Sequence, residues 1–278
     1  MSKLLLMILI FCNAVLSGVA QVRITKNIDY SGQNLSLHDL NIYADKKANA
    51  KDVIVFIHGG SWSSGKKETY WWLGRNFAKK DVVVAVIDYP LAPNATYKEM
   101  AVASAKAVKW VRDSIAIYGG NPDRIFLMGH SAGAHLCELI NADTSYFKQV
   151  GLTNPVKGII LNDAFGLDME EYLTKSIRDH YYDDFIRTFS ENSETWRMGS
   201  PLFYVKEIKN PHLIFYGTKT YPAIQLQSER IYQNLKMQNI PAKLTVVEGK
   251  KHVGMISQMI FSNNRMYKDI LDFMKSVN

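Results

Sequence analysis

The chain has 278 residues, a formal net charge of +7, and 47% hydrophobic against 21% charged residues. It is too long for a minimal fold and too short for two full-sized domains, at roughly 100–200 residues per domain. The lysines come as scattered pairs, Lys66-Lys67, Lys79-Lys80 and Lys250-Lys251, rather than as a stripe; this reads as solvated surface and argues against a nucleic-acid partner.

The first twenty residues stand apart. Lys3 is their lone charge, Leu4 to Val19 is almost wholly apolar, and Gly18-Val19-Ala20 offers small residues for cleavage before Gln21. This pattern predicts a signal peptide over residues 1–20 and an exported protein, periplasmic or secreted. A membrane anchor is the competing reading, weakened by the short apolar run broken at Asn13. Bulky Phe11 before Cys12 does not suit lipoprotein cleavage. Cleavage would leave Cys137 as the only cysteine, with no internal disulfide and a role as core filler.

Val22 to Tyr30 and Leu35 to Tyr43 alternate apolar and polar residues and predict an antiparallel pair at a sheet edge. Val53-Ile54-Val55-Phe56-Ile57 is a continuous apolar run, a strand buried on both faces, and it ends in His58-Gly59-Gly60-Ser61-Trp62. A helix over Glu68 to Lys80, a strand over Val82 to Ile87 and a helix over Tyr97 to Tyr118 follow. Asp123 to Met128 reads as the next buried strand, then Val156 to Leu161 and Leu213 to Tyr216. Leu226 to Met237 reads as helix, Lys243 to Val247 as the last strand, and Met255 to Met274 as one closing helix. This alternation predicts a mostly parallel sheet covered on both faces, with working residues at the strands' carboxyl ends. No repeat or low-complexity segment interrupts it. The aromatic-rich stretch 164–201, with Phe165, Tyr172, Tyr181, Tyr182, Phe185, Phe189 and Trp196, breaks the rhythm. It reads either as part of a substrate-cleft wall, together with Trp62, or as a peripheral insertion packed on its own aromatics.

Gly129-His130-Ser131-Ala132-Gly133 lies between a buried strand and a helix, the setting of a nucleophile elbow. The turn is too tight for side chains on either side of the serine, and it aims the Ala132 N–H, at a helix N-terminus, toward a developing anion. A serine hydroxyl needs a base within hydrogen-bond reach. Among the seven histidines, His130 and His135 flank the serine and read as structural. His38 lies in the edge hairpin, His180 in the aromatic insertion, and His212 at the wrong end of its strand. His58 belongs to the glycine loop. His252, just after the last strand and after the serine in chain order, is the expected base. Gly59 and Gly60, at the carboxyl end of a buried strand, complete an oxyanion hole with Ala132. His130 and His135 are five apart, which misses the helical zinc-pair spacing, and no phosphate-binding glycine loop is present; no metal and no cofactor are expected.

Together, His58-Gly59-Gly60-Ser61-Trp62, Tyr89-Pro90-Leu91-Ala92-Pro93, Gly129-His130-Ser131-Ala132-Gly133 and the His252 loop resemble the α/β-hydrolase superfamily. Within it they are similar to small serine esterases of the hormone-sensitive-lipase-like and feruloyl-esterase-like group, related to arylformamidases. The resemblance covers nearly the whole chain from residue 21 to 278. It implies a sheet of about eight strands and a cofactor-free carboxylesterase working through an acyl-enzyme on a small or medium ester. Acyl decorations of carbohydrates suit an exported enzyme, by analogy, and an arylformamidase-type amide hydrolase is the alternative. One departure matters. The family carries its triad acid just after the strand ending here at Tyr216-Gly217, and this chain has Thr220 there, with no carboxylate between Glu207 and Glu229. The acid has moved to Asp163, or Thr220 or water replaces it, or the chain is a non-catalytic binding protein that keeps a hydrolase pocket. Glu248 is a further candidate, expected to point back along its strand.

Overall fold

The computed structural model describes residues 21–277, and the expected signal peptide over 1–20 lies outside the described residues. The described residues form one eight-stranded sheet. Its strands are β1 (Val22–Asp29), β2 (Asp39–Asp45), β3 (Lys51–Ile57), β4 (Val83–Ile87), β5 (Gly120–His130), β6 (Val156–Asn162), β7 (His212–Gly217) and β8 (Ala242–Val247). The order across the sheet is β1-β2-β4-β3-β5-β6-β7-β8, with β2 antiparallel to both neighbours and all later pairs parallel. This is the mostly parallel, helix-covered sheet that the alternating pattern predicts.

Alternation along each central strand feeds two cores. Val53, Val55 and Ile57 of β3 pack on one face with Met100, Leu136 and Ile231; Ile54 and Phe56 pack on the other with Leu73, Phe77 and Ile270. The first face is covered by α2 (Tyr97–Ser114), α3 (Ala132–Ala142) and α8 (Pro222–Met237). The second is covered by α1 (Trp71–Ala78), with α9 (His252–Ser257) and α10 (Arg265–Ser276); numbering in between runs α4 (Ser145–Gln149), α5 (Met169–Lys175), α6 (His180–Phe189) and α7 (Ser193–Met198). α5 to α7 make up the aromatic-rich insertion after β6.

Local chemistry explains where elements differ from expectation. The second strand starts at Asp39, not Leu35, because Asn34 and Leu37 take left-handed backbone angles and prolong the turn. Thr96 and Glu99 form a capping box at the start of α2, and the helix ends in a 3₁₀ turn over Ile115–Tyr118 before left-handed Gly119. The single closing helix expected over Met255 to Met274 is two helices. Asn264 caps α10 by accepting the Met266 N–H at 2.9 Å, so the Ser262-Asn263-Asn264 stretch begins a new helix rather than continuing the old one.

Two polar clamps hold the covering layers. Arg124, entering β5, bonds both Asp52 carboxylate oxygens at 2.8 and 3.0 Å and the Met274 carbonyl at 2.8 Å, pinning α10 to the sheet. His212 Nε2 meets Glu138 Oε2 at 2.8 Å, both side chains fully buried, and joins β7 to α3 at the amino end of the strand.

Packing of α1 on the sheet is tight enough to set the sign of a glycine substitution. A Cβ at Gly74 would lie 2.4 Å from the ring of buried Tyr43. Alanine is favoured over glycine in a helix by about 1 kcal/mol, but overpacking costs about 1–3 kcal/mol. Gly74→Ala should therefore lower stability in urea denaturation despite its better helix propensity.

Candidate active site

The sheet brings Ser131, His252 and Asp163 together from three separate loops. Ser131 follows β5 with φ 55° and ψ −126°, a conformation that non-glycine residues rarely hold. The packing that enforces it is direct. A Cβ at Gly129 would sit 2.4 Å from the Ala134 nitrogen, and one at Gly133 would sit 2.1 Å from the Ile57 carbonyl oxygen. Glycine on both sides thus lets α3 rise immediately behind β5 and against β3, with the serine lifted out of the sheet.

His252 opens α9, just beyond β8, and its Nε2 lies 2.8 Å from Ser131 Oγ. Its Nδ1 lies 2.6 Å from Asp163 Oδ2. Asp163 follows β6, fully buried and also in a left-handed conformation at φ 53°. Its other oxygen accepts the Gly217 N–H at 3.0 Å, and Thr220 Oγ1 donates to Oδ2. Thr220 is therefore a hydrogen-bond partner of the carboxylate, not its substitute. Glu248 is held elsewhere, accepting from Thr218 Oγ1 at 3.1 Å.

Two other histidines brace the arrangement. His130 Nε2 donates to the His252 carbonyl at 3.2 Å, and its ring stacks on the His252 ring at 4.8 Å. Burial, with the nearby His252 charge, depresses the His130 pKa to about 3, so it stays neutral beside its neighbour. His135 Nε2 donates to the Gly199 carbonyl at 2.7 Å, and Nδ1 accepts from Trp62 Nε1 at 3.2 Å. Burial lowers its pKa to about 4.

The glycine loop after β3 lies against the elbow. A Cβ at Gly59 would fall 2.8 Å from the His130 carbonyl oxygen and 3.1 Å from Ser131 Cβ, so only glycine allows this approach. Gly60 sits at φ 133° with its carbonyl turned to Ser63 and Ser64. Burial raises the pKa of Tyr70, which stacks near His58 at 6.3 Å. Gly59, in contact with the elbow, and Gly60, next along the loop, are both candidates for the oxyanion donor. Ala132 begins α3, so its N–H belongs to the first turn, which lacks intrahelical acceptors.

Trp62 requires a correction. It does not line an open cleft: it is fully buried, bonded to His135, and enclosed by the rings of Phe165, Phe185 and Phe189 at 6.0, 5.6 and 5.0 Å. Its left-handed φ of 59° folds the indole inward under the insertion. The insertion thus packs largely on its own aromatics, while Phe165 reaches the elbow through its N–H to the Ser131 carbonyl at 3.4 Å. The aromatic residue that does border the site is Tyr221, 55% exposed, with its ring 5.3 Å from that of His252 and 6.2 Å from that of Phe165. Its place directly after Thr220 was the available sequence signal.

Lys67 is the second correction. Half of a lysine pair that reads as solvated surface, it is buried, with Nζ 2.7 Å from Asp39, 2.8 Å from Glu68 and 3.0 Å from Asp88. Burial works against its charge, but these carboxylates outweigh burial and hold its pKa above the usual value.

A parallel sheet of this order, a serine on a strained strand–helix turn and a histidine–aspartate pair from later loops define an α/β-hydrolase. Residues 40–235 match the family model described as BD-FAE, and the chain belongs to that family. A probable isoprenylcysteine alpha-carbonyl methylesterase of Arabidopsis thaliana is 30% identical over 252 residues, which cover 84% of this chain and 52% of that protein. The chain thus spans about half the length of this curated relative. Among solved structures, a truncated carbohydrate esterase from gut microbiota superposes with a TM-score of 0.78 at 18% identity, covering 94% of this chain and 97% of that one. Esterase B of Lactobacillus rhamnosis superposes with a TM-score of 0.74 at 17% identity, covering 92% and 87%.

Two outcomes follow. His130 and His135 are neutral when folded, but in the unfolded chain they take up protons below the ordinary 6.5. Stability should therefore fall as pH drops from about 6.5 toward 4, by up to about 1.4 kcal/mol per pH unit for each histidine. Thermal melts across this range should show that slope, and His135→Gln should flatten it. Trp62→Ala should cost about 3–5 kcal/mol of stability, and should leave the ranking of acyl chain lengths unchanged among active molecules.

Proposed function

We propose that this chain hydrolyses carboxylic esters through an acyl-enzyme on Ser131. The observation that carries the reading is the unbroken line from Ser131 Oγ to His252 Nε2, at 2.8 Å, and from His252 Nδ1 to Asp163 Oδ2, at 2.6 Å. With its Nδ1–H given to Asp163, His252 presents a bare Nε2 to the serine hydroxyl. Nε2 takes the hydroxyl proton as Oγ attacks the ester carbonyl carbon. The tetrahedral oxyanion is met by the Ala132 N–H and by an N–H of the Gly59-Gly60 pair. Nε2–H then gives its proton to the departing alcohol oxygen, leaving an acyl group on Oγ. Water, deprotonated by Nε2, attacks the acyl carbonyl carbon, and Nε2–H returns the proton to Ser131 Oγ as the acyl–oxygen bond breaks and the acid leaves. Asp163 remains ionised throughout and offsets the imidazolium charge.

Asp163 also answers the main objection to activity. The binding-protein reading rested on the missing acid after β7, and a carboxylate is in hydrogen-bond contact with His252 after all. The names of the relatives, a methylesterase and a carbohydrate esterase among them, support ester substrates as the class. Exposed Tyr221 beside His252 supplies a flat face on which a sugar ring or aromatic acyl group can lie. Small or medium esters, including acyl decorations of carbohydrates met outside the cytoplasm, fit this site and the signal-like residues 1–20.

Wild type should hydrolyse short p-nitrophenyl esters, and Ser131→Ala should be slower by at least about 10⁴-fold. Equal rates would refute the reading. Thr220→Asp would set a second carboxylate against Asp163, where like charges oppose joint ionisation; turnover at neutral pH should fall. Thr220→Val, which removes one of several donors to Asp163, should cost no more than about a hundredfold, the worth of a single hydrogen bond to a charged group, about 1.5–3 kcal/mol.

A further inference from the structure

The loop that carries Gly59 and Gly60 is closed on itself by charge. Lys67, at its far end, gives its backbone N–H to Asp88 Oδ1 at 2.6 Å and its ammonium to Asp88 Oδ2 at 3.0 Å. Asp88 Oδ1 also lies 3.4 Å from His58 Nε2, at the loop's near end, a close approach without a hydrogen bond. His58 Nδ1 donates to the Gly59 carbonyl at 2.9 Å, and the His58 carbonyl accepts from Tyr89 at 2.9 Å. His58 stacks on Tyr89 at 4.5 Å and on Tyr70, just beyond Lys67, at 6.3 Å. Gly65 shuts the gap: a Cβ there would lie 2.4 Å from the Gly59 carbonyl oxygen.

We infer that Lys67 is a positioning residue for the oxyanion-binding loop, acting through Asp88 and His58 to fix the Gly59-Gly60 N–H groups over Ser131. The inference rests on the ester-hydrolase reading and adds a residue to its machinery. The physical reason lies in the exposure of the partners. Asp39 and Glu68 keep 27% and 44% of their side-chain surface in water, and either would be stable without Lys67. Asp88 keeps only 3%, so its charge needs a cation, and the Lys67 ammonium supplies one at 3.0 Å. A lysine buried for stability alone would need no link to the loop's own backbone. Here the same residue binds Asp88 by both its main chain and its side chain, and the same carboxylate faces the histidine that holds Gly59. Displacing a donor by a fraction of an ångström weakens the anion in the transition state and leaves ground-state binding of the ester almost untouched.

The test uses Lys67→Met combined with Asp88→Asn, which removes the cation together with the buried charge it serves, and Asp88→Asn alone as a second variant. Each is compared with wild type for kcat and KM on one p-nitrophenyl ester, and for the affinity of a boronic acid that forms a tetrahedral adduct on Ser131. Assays are run well below each variant's Tm, with folded protein counted by circular dichroism. The double variant should lose about tenfold to a hundredfold in kcat, less than the roughly 10²–10³ of removing an oxyanion donor outright. Boronate affinity should fall by a similar factor while KM changes little, and Asp88→Asn should show the same split to a smaller extent. A lower Tm with kcat per folded molecule and boronate affinity both unchanged, in either variant, would overturn the inference and make the cage purely structural. A wild type that neither turns over ester nor binds the boronate would instead refute the ester-hydrolase reading, and the inference with it.

Discussion

The buried carboxylate of Asp163 is the contact on which the arrangement turns. With no exposed surface, it can remain charged only if its oxygens are met by donors. They are: the Gly217 N–H after β7, the Thr220 hydroxyl one turn further on, and His252 after β8. Three segments far apart in sequence are therefore fixed relative to one another by a single charge. The Lys219 N–H to the Lys250 carbonyl at 2.9 Å draws the two later loops together on the same side. The carboxylate also dictates the histidine tautomer, since only a protonated Nδ1 can satisfy it. The proposed chemistry at Ser131 thus depends on the fold of β6 and β7 as much as on the elbow.

Around that charge, close backbone contact does the remaining work. Gly129 and Gly133 allow β5, α3 and β3 to meet without side chains, and Gly59 brings the next loop against the serine. Neutral histidines fill the polar needs of this crowded layer. His130 supports the His252 main chain, and His135 ties both buried Trp62 and Gly199, at the end of the aromatic insertion, to α3. Keeping His130 uncharged spares the site a buried cation next to the imidazolium that the proposed attack would form.

The strands, the elbow and the late histidine loop were legible because each rests on a local rule: continuous apolar runs, glycines flanking a serine, and a loop after the final strand. Asp163 was legible as a candidate from its place at the end of β6, between the elbow strand and β7. Its preference over Thr220 was not, because that depends on a left-handed backbone angle and on three donors supplied by other loops. Lys67 was misread for a related reason. A lysine pair says nothing about which member faces inward, and Asp39 and Asp88, which bury it, come from segments on either side of the loop. Trp62 failed on direction alone: it leaves a strand at the carboxyl end, as cleft residues do, but its backbone turns the ring into the core. The split of the last helix hinged on a cap at Asn264 that competes with simple continuation.

The central claim is that Asp163, from the end of β6, serves as the acid of this site. It is tested most directly by the rate at which a fluorophosphonate labels Ser131, followed by intact-protein mass, in wild type and in Asp163→Asn. Asparagine keeps the shape but removes the charge and favours the wrong histidine tautomer, which in serine hydrolases can cost about 10⁴ in turnover. Labelling of Ser131 in the variant should therefore slow by orders of magnitude in protein that is still folded. Equal labelling rates in the two proteins would contradict the account, and would mean that Ser131 and His252 work as a dyad.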